Sequence, residues 1–403
     1  MTSIAAVNLG PAVSMAAVGA LVAGTAAALV WRRVRRQGGS SRHALQRALA
    51  TLCLLLTLDL VVFGAFTRLM DAGLGCPDWP GCYGETTPWQ AHPEIAAAHE
   101  AWPTGPVSPM KAWIEMVHRY LATAVGALIT AMMVWAWRSR RTGGILSPQR
   151  ATCLFAWVCV QGAFGALTVT SRLQPLIVSL HLLGALTGVA LMSLQVQAMK
   201  ASDRRWRDSV DARVQVKRRH VGLVLALVMT QAALGAWVSS NYAVLACSEF
   251  PMCQGQWWPA MDWQTPFHLW RPLGEDGLGE AITLQALTAI HMAHRLMAFV
   301  VLAAMLWLAW RWRRQALRQG IVTGGPAAHE ARMLAMLAGW QVATGLSNVV
   351  LGWPLLAALG HTLGAALLVW RLSSQLMLTR RAPQAATQEH GALSWHLPLK
   401  QAR

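Results

Sequence analysis

Nine stretches of the chain are apolar for long enough to cross a bilayer: 11–31, 48–69, 112–137, 151–171, 176–199, 221–240, 283–310, 333–352 and 355–379. A helix rises about 1.5 Å per residue, so roughly 20 apolar residues match the hydrocarbon thickness. The pattern predicts an all-α polytopic membrane protein. The last eight stretches fall into two sets of four, and small landmarks recur in both. Gly64-Ala65 stands twelve residues before Cys76, and Gly235-Ala236 twelve before Cys247; each cysteine has a partner six residues on, Cys82 and Cys253. Gln161 and His181 are twenty apart, as are Gln341 and His361. This is one four-helix unit copied and diverged, giving two pseudo-symmetric four-helix bundles, an eight-helix core with an extra helix before it. The expected organisation is an N-terminal anchor and basic loop (1–47), a first repeat (48–200), a basic linker (201–220), a second repeat (221–379) and a tail (380–403).

Composition agrees, with 55% apolar and only 13% charged residues in 403 and a mean hydropathy of +0.38. Such figures exclude an ordinary soluble chain. Of 34 lysines and arginines, 28 fall in 32–47, 138–150, 200–219, 311–332 and the segment from Arg371 onward. Basic loops stay cytoplasmic, so these five segments, including the C-terminus, are expected inside. The net charge of +17 then reads as topology and attraction to anionic lipid, not to nucleic acid, for which there is neither a binding module nor an aromatic platform.

The opposite side receives two long loops, roughly 70–111 and 241–282, each with one cysteine pair. Structural disulfides fit an oxidising periplasmic space, and thiols that cycle or touch substrate are the other reading. Cys53, Cys153 and Cys159 fall inside spans and read as packing residues. No basic residue precedes the first apolar stretch, while Arg32, Arg33, Arg35 and Arg36 follow it. That order suits an uncleaved anchor in a bacterial inner membrane better than a signal peptide or an arginine-rich presequence.

Four histidines carry the candidate chemistry: His118 and His181 in the first half, His294 and His361 in the second. A single buried histidine is usually a satisfied helix contact. Four at matched depth in a repeat, roughly two turns from the loop side, point to paired axial ligation of iron porphyrin. A zinc site would bring cysteine or carboxylate close by. Arg119 and Arg295 directly follow a histidine, and Arg68 ends the first repeat helix. Their guanidinium forks suit haem propionates, with snorkelling to the interface as the alternative.

Symmetry breaks at Glu115, three residues before His118, where the second copy has His291. A buried carboxylate at one haem edge is suited to proton relay or to stabilising positive charge on a carbon being oxidised; a salt bridge to Arg119 is the plainer reading. Asp59, mid-span, is weighed equally as a proton conduit and as a helix contact. His43, His92, His220 and His390 fall in loops or tails and are given no chemistry. The external tryptophans, among them Trp79, Trp89, Trp102, Trp257 and Trp258, read as interface anchors or as a lid over the porphyrin.

Gly64-Ala65-Phe66-Thr67-Arg68-Leu69 running into Ala72-Gly73-Leu74-Gly75-Cys76-Pro77-Asp78-Trp79-Pro80, followed by Glu115-x-x-His118-Arg119, resembles the haem A synthase family over about 48–379. The resemblance implies oxidation of one ring methyl of haem O to a formyl group by successive oxygenations, for cytochrome oxidase biogenesis. It also implies that His118 and His181 face substrate haem O with Glu115 at the reacting edge. His294 and His361 would ligate a resident haem b, and Cys76, Cys82, Cys247 and Cys253 match the family's external cysteines. Expected partners are a haem O synthase, oxidase assembly factors, the lipid bilayer and an electron donor of unstated identity. Two other readings fit the histidines alone: a bis-histidine dihaem electron-transfer cytochrome, and a non-catalytic haem carrier or assembly factor.

Overall fold

The computed structural model describes residues 10–38, 41–200, 216–271, 282–320 and 325–378. The tail 380–403 and His390, most of the basic linker, and the first nine residues lie outside them. Among the described residues there are ten α-helices and no strand: α1 Gly10–Arg36, α2 Arg42–Leu69, α3 His92–Ala101, α4 Pro109–Ser139, α5 Pro148–Thr170, α6 Pro175–Lys200, α7 Arg218–Ser240, α8 Leu284–Arg318, α9 Pro326–Val350 and α10 Leu355–Leu378. All but α3 are long and apolar enough to span a membrane, which gives the nine expected segments.

The helices run past their apolar stretches because polar residues start them. Ser41, Ser108, Ser147 and Thr283 each accept a hydrogen bond from a first-turn backbone N–H, at Ala44, Lys111, Arg150 and Ala286, satisfying a donor the helix itself leaves open. His43, His92 and His220 lie in first turns, not loops. The short α3 was not legible, since its ten residues carry no apolar period.

Two rings of four helices result. In the first, α2 packs on α4, α4 on α5, α5 on α6 and α6 back on α2; in the second, α7, α8, α9 and α10 close in the same order. They meet where α6 lies against α7 and α10, and α2 against α10. Ser193 and Ser374 hydroxyls, 2.8 Å apart, bond across that seam. Helix α1 lies outside the first ring against α4 and α2.

The repeat extends to backbone conformation. An offset of 171 residues relates Asp71 to Tyr242 and Tyr83 to Gln254, all with left-handed φ, and the cis bonds Trp79–Pro80 and Phe250–Pro251. It also relates the disulfides Cys76–Cys82 and Cys247–Cys253, both formed. An offset of 180 relates the left-handed corner Arg172-Leu173 to Gly352-Trp353. On the seam itself equivalent residues bond each other: Arg68 donates to Ser239 O at 2.6 Å, and Tyr242 donates its hydroxyl to Asp71 Oδ1 at 2.8 Å.

Candidate functional site

His118 on α4 and His181 on α6 belong to helices on opposite sides of the first ring, as do His294 on α8 and His361 on α10 in the second. His118 and His294 lie nine and ten residues inside their helices, so roughly 14–15 Å along the axis, and His181 and His361 only six, or roughly 9 Å. The depths therefore match between halves rather than within them.

Each imidazole sits over a glycine of the neighbouring helix. A Cβ at Gly64 would stand 3.1 Å from His118 Cε1, at Gly165 3.4 Å from His181 Cε1, at Gly235 3.0 Å from His294 Cε1 and at Gly345 3.2 Å from His361 Cε1. Four glycines thus keep four ring seats clear. All four histidines nevertheless retain partial exposure. Among the described residues no group of three or more His, Cys, Asp or Glu is placed to hold a metal ion.

Three of the histidines are pinned by an amide from the next helix. Gln161 Nε2 donates to the backbone oxygen of His181 at 2.6 Å, Gln231 to that of His294 at 3.1 Å and Gln341 to that of His361 at 3.0 Å. Thr344 goes further. Its hydroxyl donates to Trp340 O at 2.7 Å, so its oxygen is left to accept Nδ1–H of His361 at 3.0 Å. That fixes the tautomer with the Nε2 lone pair free. His118 lacks such support: Leu60 stands where the 171-residue offset puts Gln231, and its Nδ1 is buried without a hydrogen-bond partner.

Glu115 and Arg119, 4% and 8% exposed, form an ion pair at 2.5 Å, one helical turn apart. The second carboxylate oxygen accepts the backbone N–H of Cys76 at 2.8 Å. Arg119 also donates to the carbonyls of Asp78, Pro80 and Gly81, at 2.9, 3.3 and 2.5 Å. The Asp78 carboxylate in turn accepts the N–H of Tyr83 and of Gly84. The disulfide ring, the arginine and the glutamate are one hydrogen-bonded unit. In the second half Arg295 donates to Cys247, Glu249 and Met252 carbonyls, and Glu249 accepts Gly255 N–H. Where the first half has the carboxylate, His291 bonds Ala243 O at 3.0 Å.

The three arginines expected near propionates are thus all engaged by protein acceptors. Arg68 reaches Asp71 and Ser239 and lies 3.9 Å from the Tyr242 ring centroid. Asp59 is exposed on α2 and lines neither ring. Cys153 and Cys159 are exposed as well, and only Cys53 is a packing residue. Sequence reasoning passed over Gln231, Thr344, Gly165 and Gly345, and took Gly64 and Gly235 only as landmarks of the repeat. Gly165 and Gly345 are 180 residues apart, as are His181 and His361, so the repeat offset could have found them.

The fold and site define an all-helical polytopic membrane protein built by duplication, with one imidazole pair inside each half and an acid beside only one. The model of the COX15-CtaA family, described as cytochrome oxidase assembly protein, matches residues 47–372, and the chain belongs to that family. It is 36% identical over 329 residues to the Heme A synthase of Shewanella oneidensis, covering 80% of this chain and 93% of the relative. The Heme A synthases of Halalkalibacterium halodurans and Shouchella clausii are 26% and 28% identical. Those matches cover 79% and 80% of this chain, and 91% and 93% of the relatives.

Proposed function

We propose that the chain is a haem A synthase, a haem-dependent membrane oxidoreductase that oxidises a ring methyl of haem O to the formyl group of haem A for cytochrome oxidase. The observation that carries this reading is the inequality of the halves: matched imidazole pairs, but Glu115 on one side and His291 on the other. A dihaem electron carrier would need no such carboxylate. Family membership and the names of the relatives support the same reaction.

The donor set suits iron porphyrin: two imidazoles from opposing helices, with a glycine beside each leaving room at Cε1. We assign His294 and His361 to a resident haem b, which when bound supplies electrons. The Thr344 hydroxyl that accepts Nδ1–H of His361 favours permanent ligation there. His118 and His181 are assigned to substrate haem O. The unpartnered Nδ1 of His118 makes it the least constrained ligand of the four, as an exchangeable molecule requires.

Glu115 is the catalytic group in this reading. Cys76 N–H and Arg119 hold its carboxylate in one orientation, where it stabilises positive charge on the reacting carbon or takes up the released proton. The prenyl tail of haem O partitions into hydrocarbon, so substrate arrives from the bilayer. Residues 48–200 form the substrate repeat and 221–379 the haem b repeat. In a bacterial inner membrane the cysteine loops are periplasmic and the C-terminus cytoplasmic. A haem O synthase upstream and oxidase assembly factors downstream are the expected partners.

The test is co-expression with a haem O synthase, followed by extraction of non-covalent haem and its mass and absorption. The parent chain is expected to yield a formyl porphyrin, and Glu115→Ala to retain haem without converting it. Absence of formyl porphyrin from the parent sinks the enzyme; undiminished yield from Glu115→Ala sinks the role of that carboxylate.

A further inference from the structure

Helix α1 lies outside the family match, which begins at residue 47, yet it is not a detached anchor. Its buried residues Pro11, Met15, Gly19 and Ala23 recur every four positions, forming one stripe along the helix. Each meets something specific. Gly19 crosses α4 so closely that a Cβ would lie 2.5 Å from Thr123 Cγ2. Met15 packs in one apolar cluster with the disulfide cysteines Cys76 and Cys82 and with Ala112 and Met116 of α4. Pro11 Cβ lies 3.2 Å from where a Cβ on Gly81 would stand, and Gly81 O is an acceptor of Arg119. Ala23 joins the main core of the bundle.

These contacts converge on one group. Met116 neighbours Glu115 in sequence, Cys76 gives it a backbone N–H, and Gly81 accepts from its arginine partner. Among the described residues the second half has the same loop, the same disulfide and the same arginine clamp, but no helix in the place of α1. The half with the additional buttress is the half with the acid.

We propose that α1 is a positioning element of the first site: it wedges the Cys76–Cys82 loop against α4 and so holds Glu115 in reacting orientation. This rests on the reading of that site given above. The glycine at position 19 sets the crossing distance, and a larger residue there lifts α1 away from Thr123 and from the loop. The effect is confined to the first ring, because the principal neighbours of α1 are α4 and α2.

The full-length chain carrying Gly19→Leu tests this, with Gly24→Leu as control, since a Cβ at Gly24 meets nothing within 4 Å. Met15→Ala serves as a milder variant. Three readouts are taken: conversion of haem O, the b-type spectrum assigned to His294 and His361, and the reduction rate of each disulfide by a membrane-impermeant reductant, followed by alkylation and mass spectrometry. Gly19→Leu and, to a smaller degree, Met15→Ala should lower conversion by about tenfold, as small misplacement of a reacting group does. They should expose Cys76–Cys82 but not Cys247–Cys253, and keep the b-type spectrum, which also reports that the chain has folded. Gly24→Leu should match the parent. Unchanged conversion and unchanged disulfide protection in Gly19→Leu overturn the proposal. Faster reduction of Cys76–Cys82 with full conversion also overturns it; if Glu115→Ala converts fully too, the assignment of the reacting site falls with it.

Discussion

Gly64 on α2 and His118 on α4 are packed so that the absence of one methyl group decides whether the imidazole keeps its place: a Cβ there would stand 3.1 Å from Cε1. Gly235 and His294 repeat the relationship at 3.0 Å. Such approaches are tighter than ordinary van der Waals contact, so the histidine or the helix pair has to shift when the glycine is enlarged.

Valine at either position is therefore expected to cost about 1–3 kcal/mol of overpacking, felt in its own ring. Gly64→Val should lose haem O conversion while keeping the b-type spectrum, and Gly235→Val should lose that spectrum first. Reduced-minus-oxidised spectra and pyridine extracts of the two variants check this. Equal losses in both halves from either variant would contradict separate sites.

Arg119→Gln removes the ion pair to Glu115 and three bonds to loop carbonyls together. Breaking a buried pair typically costs about 3–5 kcal/mol, and the freed carboxylate loses its orientation. Haem O conversion should fall by about 10–100-fold, the range for lost orienting partners, with a lowered thermal midpoint. Arg295→Gln, which removes bonds only to the Cys247, Glu249 and Met252 carbonyls of the second half, should leave more conversion intact.

Tyr242 ties the halves together through Asp71, and burial raises its hydroxyl above the ordinary tyrosine value of 10.0, the neighbouring Asp71 adding to the rise against the opposing pull of Arg68. A folded value above the unfolded one means that the contribution is complete below pH 10.0 and is lost as pH climbs through the raised value. Thermal stability followed into the alkaline range should show this loss. Tyr242→Phe should lower stability by about 1 kcal/mol and flatten that alkaline limb.

Thr344→Val keeps the shape but removes the acceptor for His361 Nδ1–H. Retention of b-type haem should weaken by about 10–100-fold, with the midpoint potential displaced, whereas Thr344→Ser should restore both. Titration of the purified variants with haem and a redox dye measures the two quantities.

Much of this fold was written in apolar length and basic loops, because a bilayer leaves few ways to bury a backbone. The repeat, the four histidines and both cysteine pairs followed from spacing alone. The glycine seats did not, since Gly165 and Gly345 look like ordinary helix residues until a neighbouring helix is laid against them. Nor did the destination of Arg119, which the sequence directs equally well at a propionate or at Asp78, Pro80 and Gly81. Three-dimensional proximity chose the carbonyls. The docking of α1 was invisible for a similar reason: a four-residue stripe of Pro11, Met15, Gly19 and Ala23 looks like any lipid-facing helix until Thr123 is found against it.

The left-handed corner after α5 holds Arg172 where its twin after α9 holds Gly352. One bend is occupied by the residue best able to relax into it, and the other by a long cation held against its backbone preference, a small debt that the second copy escaped. Exchanging Arg172 for glycine would remove a conformational penalty of about 1 kcal/mol, so the corner after α5 carries strain at a position where its twin carries none.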